Sequence, residues 1–348
     1  MNYLRLGQIF LSSLLAVLAG SILLSLFGIP PITGLTSLFY GGFFSEYGLN
    51  QTLQTMTPLL IMGIGLSVTF TARFWNIGGQ GQYVMGSIIS TWVGLSLSSV
   101  LPQSLLILVV LFSAFFAGAL WSLPATLMKI YFGVNEVITT LMLNFVAVFL
   151  LDYLVVGPLQ GPQSKALNAP ASAPIPAKDM LGSLLPGGAI GYGLILAVFL
   201  AVIFFVLLNY TNFGYELKLM GQGYEVSSYA GVDTRKNIIL AMSISGGIAG
   251  IAGMLQVFQI NGVLLPQVFS DITTSYGYVA IPVALIASLN PIAIIISSLF
   301  FSGILTGAYS LELQYGIPID IVTTLYGLVM MFTLIGMYLN LERLIKKT

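Results

Sequence analysis

Residues 53–100 read LQTMTPLLIMGIGLSVTFTARFWNIGGQGQYVMGSIISTWVGLSLSSV and carry a single charged side chain, Arg73. Two apolar runs, Leu53–Ala72 and Val84–Val100, flank a break formed by Phe74-Trp75-Asn76-Ile77-Gly78-Gly79-Gln80-Gly81-Gln82. Each run approaches the roughly 20 residues a helix needs to cross a hydrocarbon core of about 30 Å. A soluble fold with so little charge would have almost nothing to present to water. The stretch therefore reads as two membrane helices joined by an irregular, amide-rich segment.

Three glycines in four residues disfavour continuous helix, at about 1 kcal/mol each, and let the backbone approach another group closely. The carboxamides of Asn76, Gln80 and Gln82 donate and accept hydrogen bonds at once, which suits an uncharged polar substrate. At membrane depth such broken backbone survives only where it is packed in protein or lines a cavity. The competing reading is a tight loop facing water, and the residues alone leave both open. No strand precedes the glycines, so the segment is not a dinucleotide-binding fingerprint.

The rest of the chain continues the pattern. Its 348 residues are 57% hydrophobic and 6% charged, against about 25% charged in a soluble domain, so lipid is the main solvent. Further apolar runs occur at Ile9–Phe27, Leu105–Trp121, Ile138–Val156, Tyr192–Asn209, Ile238–Gln259, Tyr276–Leu289, Ile292–Tyr309 and Ile321–Tyr338. The first exceeds the roughly 7–15 apolar residues of a signal peptide and reads as a retained span. The eighth in chain order is short and abuts the ninth across Asn290-Pro291, as a half-span or tilted hairpin would. The expectation is an all-α integral membrane protein, one domain over residues 1–348, with about ten transmembrane helices and broken or re-entrant segments.

Charge sets the orientation. With the N-terminus in the cytoplasm, the inner side holds Arg5, Arg73, Lys129, Lys218, Arg235, Lys236, Arg343, Lys346 and Lys347, and the outer side only Lys165 and Lys178. That asymmetry follows the positive-inside rule and puts both termini inside. Net charge is zero, which gives no electrostatic case for binding nucleic acid. The chain has no Cys and no His, which removes thiol nucleophiles, disulfides, His-ligated metals and His general bases. No catalytic residue and no metal site is assigned.

Two connections are long. Residues 157–191 form an extracellular loop in which Pro158, Pro162, Pro170, Pro174, Pro176 and Pro186 preclude helix; it is either a tether or part of a docking surface. Residues 210–237 lie inside and are the most polar stretch, with Glu216, Lys218, Glu225, Asp233, Arg235 and Lys236 punctuated by Gly214, Gly221, Gly223 and Gly231. Between the last two glycines, residues 224–230 suit a helix of two turns. This loop is either a linker or the grip of a cytoplasmic partner.

Further polar and small residues fall inside the spans. In Gly133-Val134-Asn135-Glu136-Val137-Ile138-Thr139-Thr140-Leu141-Met142-Leu143-Asn144, Asn135 suits an N-cap and Glu136 the positive helix end. Thr140 and Asn144 are four apart and share one face, where they bond a neighbouring helix or line a path. Gly246 and Gly250, like Ala249 and Gly253, have the small-xxx-small spacing of close helix packing. Span centres carry no charge, whereas ion-coupled carriers usually place a carboxylate there. Energy for transport then comes from elsewhere, or transport is passive.

The Phe74–Gln82 segment resembles the FNIG-x-x-GQ signature of bacterial ATP-binding cassette permeases of the ribose and branched-chain amino acid superfamily. The Gly133–Asn144 block is similar to the form in its nucleoside branch. A third match is the family's cytoplasmic segment: Gly214-Tyr215-Glu216-Leu217-Lys218, Gly221, Glu225, Tyr229-Ala230-Gly231-Val232 and Arg235-Lys236-Asn237. Gly223 stands where the family usually has Asn, and Val226-Ser227 where it often has Ala-Ala. The resemblance spans about residues 55–340 and implies a permease subunit that imports nucleosides, purines first. It implies a second permease subunit, a cytoplasmic ATPase with two fused nucleotide-binding domains that holds the ATP, and a nucleoside-binding lipoprotein, all at a bacterial plasma membrane; this chain itself holds no cofactor. Asn76, Gln80, Gln82, Thr140 and Asn144 become candidates for the substrate path. Glu216, Lys218, Gly221, Glu225, Tyr229 and Gly231 become candidates for coupling to the ATPase, with Gly246, Gly250 and Gly253 in helix packing. A ribose or other monosaccharide permease, or a stand-alone secondary carrier, are the alternatives.

Overall fold

A computed structural model describes residues 19–316 apart from 23, 163, 165–168, 184–190, 267 and 269–274, together with positions 324, 327, 328 and 330–332. Most of the first and last apolar runs, and the cations Arg5, Lys165, Arg343, Lys346 and Lys347, lie outside the described residues. Regular structure among the described residues is helical apart from two isolated bridges, Gln160–Ser172 and Ser183–Gly191.

In chain order the helices are α1 (Pro31–Phe39), α2 (Glu46–Thr71), α3 (Gly79–Leu97), α4 (Gln103–Phe132), α5 (Glu136–Val156), α6 (Tyr192–Tyr210), α7 (Asn212–Gln222), α8 (Tyr224–Tyr229), α9 (Thr234–Leu255), α10 (Tyr276–Ile286) and α11 (Pro291–Tyr315). Wider π-helical turns extend α1 through Tyr40–Phe44 and α9 through Gln256–Asn261. Contacts divide the chain into residues 1–55 with 299–348, and residues 56–298.

Six described helices are long and apolar enough to cross a membrane: α2, α4, α5, α6, α9 with its extension, and α11. A seventh results if the pair Ala19–Leu26 and Pro31–Phe44, bent by 112°, counts as one span. The chain is thus a multi-pass membrane protein; of the ten expected runs, Ile9–Phe27 and Ile321–Tyr338 lie mostly outside the described residues, and two others differ from the rest for local reasons. α10 has 11 residues, about 16 Å at 1.5 Å per residue, too short for a core of about 30 Å. α3 is long enough but too polar to face lipid. Gly, Ser, Thr and Gln supply much of its buried surface, and α4, α5, α9 and α10 pack around it. A helix enclosed by protein need not be greasy. The apolar runs also do not include Pro31–Phe44, which is helical.

Burial sorts the spans of the larger unit. Only about a quarter of the apolar stretch of α4, α5 and α6 is buried, whereas most of α9 is. α5 buries one stripe, Thr140, Asn144, Ala147, Leu151 and Val155, at helical spacing. α4 and α9 cross at bare backbone. A Cβ at Gly250 would strike the carbonyl of Ala114, and one at Gly246 the carbonyl of Gly118. On its other side α9 meets α3, with Gly86 against Gly250 and Gly253 against the carbonyl of Tyr83.

Among its described residues the proline-rich stretch after α5 holds a short 3₁₀ turn at Ala177–Asp179, and it folds back on the chain after α9. Ser172 N donates to Leu264 O at 3.1 Å, Ile175 N to Gly262 O at 2.8 Å and Leu181 N to Phe258 O at 2.8 Å. Ser98 Oγ donates to the buried Asp179 carboxylate, and Lys178 Nζ donates to Ser98 O at 2.8 Å. In the smaller unit α1 and its extension lie against the C-terminal half of α11: a Cβ at Gly42 would strike Gly303 O, and one at Gly307 would strike Leu38 O.

Candidate functional site

The break between α2 and α3 is held by side-chain amides. The first turn of a helix has backbone N–H groups with no partner inside that helix. Asn76 Oδ1 accepts from Gly78 N at 3.1 Å, at the N-cap of α3. Asn144, from α5, accepts from Gly81 N through Oδ1 at 2.7 Å, in the first turn of α3. Gln80 Oε1 accepts from Gly277 N at 2.9 Å, in the first turn of the half-length α10. Two buried helix starts are therefore capped by carboxamides, those of Asn76 and Asn144 at α3 and that of Gln80 at α10.

The amides also bond one another. Asn76 Nδ2 donates to Gln82 Oε1 at 3.0 Å while Gln82 Nε2 donates to Asn76 Oδ1 at 3.1 Å, a reciprocal pair. Asn76 Nδ2 donates further to Ser245 Oγ of α9 at 3.0 Å. Asn144 Nδ2 donates to Ile77 O at 2.9 Å and to Tyr278 Oη at 3.2 Å. Thr140 Oγ1 donates to Glu136 O at 2.6 Å, one turn back, and its Cβ is what a side chain at Gly78 would meet. Asn76, Gln80, Gln82, Thr140 and Asn144 are all fully buried. All five sequence candidates therefore meet at one junction of α3, α5, α9 and α10.

Glycine makes the junction close. A Cβ at Gly277 would strike the backbone of Gln80, and one at Gly81 would stand 3.0 Å from both Asn144 Oδ1 and Trp121 Nε1. Ser245, Gly277 and Tyr278 are part of this network and were not among the sequence candidates. Ser245 directly precedes the Gly246-Gly247 pair, which was the only signal near it. Gly277 and Tyr278 lie about 200 residues from Gln80, beyond the reach of any local pattern.

The polar connection 210–237 folds into α7 and α8, split at Gly223, whose φ is +140°. α8 covers Tyr224–Tyr229, within the stretch read as a two-turn helix; α7 was not anticipated. Glu216 Oε2 accepts from Asn237 Nδ2 at 2.6 Å, and Lys218 Nζ donates to Asn209 Oδ1 at 2.9 Å. Gly221 lets α7 lie on the end of α2, because a Cβ there would strike Thr71 O. Glu225 is exposed, Tyr229 is 100% exposed, and Gly231 turns the chain toward α9 with φ +70°. The coupling candidates thus split into Glu216, Lys218 and Gly221, which fix α7 to the bundle, and Glu225 and Tyr229, which present α8 outward. A cavity of about 390 Å³ lies beside α7, lined by Thr71, Asn209, Lys218, Gly221, Ser288 and Asn290 among others. Ser288 and Leu289, at the turn after α10, adopt left-handed backbone with φ of 52° and 61°.

Residues 48–334 match the family described as branched-chain amino acid transport system / permease component. Among curated relatives, the chain is 30% identical over 323 residues to a nucleoside ABC transporter permease, NupB, of Lactococcus lactis, covering 90% of this chain and 86% of that protein. It is 28% identical over 319 residues to a guanosine ABC transporter permease, NupP, of Bacillus subtilis, covering 92% and 90%. It is 29% identical over 343 residues to a glucose ABC transporter permease, TsgB13, of Haloferax volcanii, covering 95% and 87%. With most of its length inside one family's match, the chain belongs to the family of branched-chain amino acid transport system permease components.

Proposed function

We propose that this chain is the membrane-spanning permease of an ATP-binding cassette importer for nucleosides, purine nucleosides first. The observation that carries the reading is similarity over about nine-tenths of the chain to two permeases named for guanosine and for nucleosides. The chemistry of the junction supports it, since the buried polar groups there are amides and hydroxyls, which match a neutral polar ligand. A monosaccharide is the second reading, favoured by the glucose permease relative at 29% identity.

In this reading the chain crosses the membrane about ten times with both termini cytoplasmic and acts as one permease domain. It pairs with a second permease, is driven by an ATPase with two fused nucleotide-binding domains, and receives substrate from a nucleoside-binding lipoprotein. α8 meets the ATPase through Glu225 and Tyr229, while Glu216, Lys218 and Gly221 tie its motion to the bundle. The ATPase can shift the permease only through contacts that differ between the two states. Substrate passes beside Asn76, Gln80, Gln82, Thr140 and Asn144. Here these amides are engaged with one another and with backbone, so the path is closed at this level and opens when the α3 and α10 starts separate.

Uptake of labelled guanosine in cells with and without the gene tests the reading, with unlabelled ribose, glucose and leucine as competitors. Gene-dependent uptake that collapses on ATP depletion and yields only to nucleosides is expected. Uptake that survives ATP depletion but fails with the proton gradient excludes the importer; competition by sugars alone moves the substrate to a monosaccharide. If alanine at Asn76 and at Asn144 leaves rate and substrate preference unchanged in folded protein, the path lies elsewhere.

A further inference from the structure

Several cations at described positions lie close together in the larger unit. Three of them, Arg73, Lys129 and Arg235, line a single cavity of about 390 Å³, together with Glu136, Ser227 and Thr234. They come from three separate places: the turn after α2, the end of α4 and the first turn of α9. Glu136, at the start of α5, is the one carboxylate in the lining, and it is taken up by Lys129 at 2.8 Å. The other acid close by in sequence, Asp233, accepts from Lys236 N at 3.1 Å as the N-cap of α9. Arg73 and Arg235 make no ion pair among the described residues. Thus two guanidiniums with no carboxylate partner among the described residues share one cavity, beside the positive end of a 22-residue helix.

Arg73 is also held in an uncommon backbone conformation, φ 56°, which only a few per cent of non-glycine residues adopt. The turn is fixed by Arg73 N donating to Phe70 O at 2.9 Å and Phe74 N to Thr69 O at 3.1 Å, with Phe74 buried beneath. The chain thus leaves α2 in a way that sends Arg73 to the cavity wall.

Next to the cavity the surface is greasy and aromatic. Trp75, Met128, Tyr131 and Phe132 are exposed, and Phe132 ends a membrane helix. Exposed aromatics of this kind belong at headgroup depth. A basic pocket between transmembrane helices at that depth fits an acidic lipid headgroup, and a guanidinium pair fits phosphate oxygens in bidentate geometry. We propose that this cavity binds the phosphate of an anionic phospholipid, with Arg73 and Arg235 as its ligands and the acyl chains lying along the exposed end of α4.

Native mass spectrometry of the detergent-solubilised full-length chain, titrated with phosphatidylglycerol and with phosphatidylcholine, tests this. The wild type is expected to bind phosphatidylglycerol about thirtyfold more tightly, from two arginines near a headgroup. Arg73→Ala with Arg235→Ala should abolish the preference, and Arg73→Lys with Arg235→Lys should keep most of it, which separates charge from misfolding. Equal binding of the two lipids by the wild type overturns the proposal, as does a preference that survives the double alanine change. Displacement of phosphatidylglycerol by millimolar inorganic phosphate would reassign the site to a soluble anion. If the alanine changes leave lipid binding intact but lower recovery of the ATPase with the permease, the pocket is a protein contact instead.

Discussion

Asn144→Ala removes three hydrogen bonds at once, and the structure lets its cost be bracketed. Asn144 Oδ1 takes the N–H of Gly81, and Nδ2 serves Ile77 O and Tyr278 Oη. Gly81 lies in the first turn of α3, where no carbonyl of the same helix is available, and it is buried. Leaving such a donor unmet costs about 1–3 kcal/mol, and the Ile77 carbonyl adds a smaller loss. From the other direction, interhelical polar contacts in membranes average about 0.6 kcal/mol each and reach about 1.7, so three of them amount to roughly 2 kcal/mol. The two routes bracket a loss of about 2–4 kcal/mol. Reversible unfolding of the purified chain in mixed detergent, followed by tryptophan fluorescence, measures it. Met142→Ala, two residues away on the exposed side of α5, is the control and should stay within about 0.5 kcal/mol. If Asn144→Ala costs no more than Met142→Ala, the amide network does not hold the start of α3, and the account of the junction is wrong.

Two other changes probe separate parts of the structure. Gly250→Val should destabilise the bundle by about 1–3 kcal/mol or more, because its side chain has nowhere to go between Ala114, Gly118 and Gly86; a fall in folded, monodisperse protein after solubilisation reports it, and unchanged yield contradicts the close crossing of α4 and α9. Gly223→Ala meets no atom within 4 Å but forces a side chain into backbone that is essentially reserved for glycine, at about 1–3 kcal/mol; ATP-dependent uptake should fall while the melting of the membrane helices stays put, and normal uptake would show that the α7–α8 angle is not used.

The spans around the junction were legible because lipid imposes one rule everywhere: a segment facing it must be apolar and about 20 residues long. The polar connection was legible for the opposite reason, since Gly223 and Gly231 punctuate a stretch too polar for lipid, and α8 lies between them. Asn135 announced the start of α5 as an N-cap, and its Oδ1 accepts from Val137 N at 2.9 Å. Thr140 and Asn144 could be placed on one face from spacing alone, because 3.6 residues per turn fixes it.

Hydropathy says least about helices that do not answer to lipid. α3 is packed among other helices and carries Gln80, Gln82, Ser87 and Thr91 on buried faces, whereas α10 has 11 residues and its first turn rests on Gln80. Pro31–Phe44 becomes helix where Gly41 and Gly42 lie against α11, Gly42 on the carbonyl of Gly303, a pairing across some 260 residues. The amino acids by themselves determined that the chain lies in a membrane and that an uncharged amide cluster interrupts it. Tertiary structure decided which helix starts those amides cap, and that Arg73, Lys129 and Arg235 share one cavity. Hydrogen-bond capacity and charge belong to each residue alone, but a partner brought from a distant part of the chain exists only once the helices have packed.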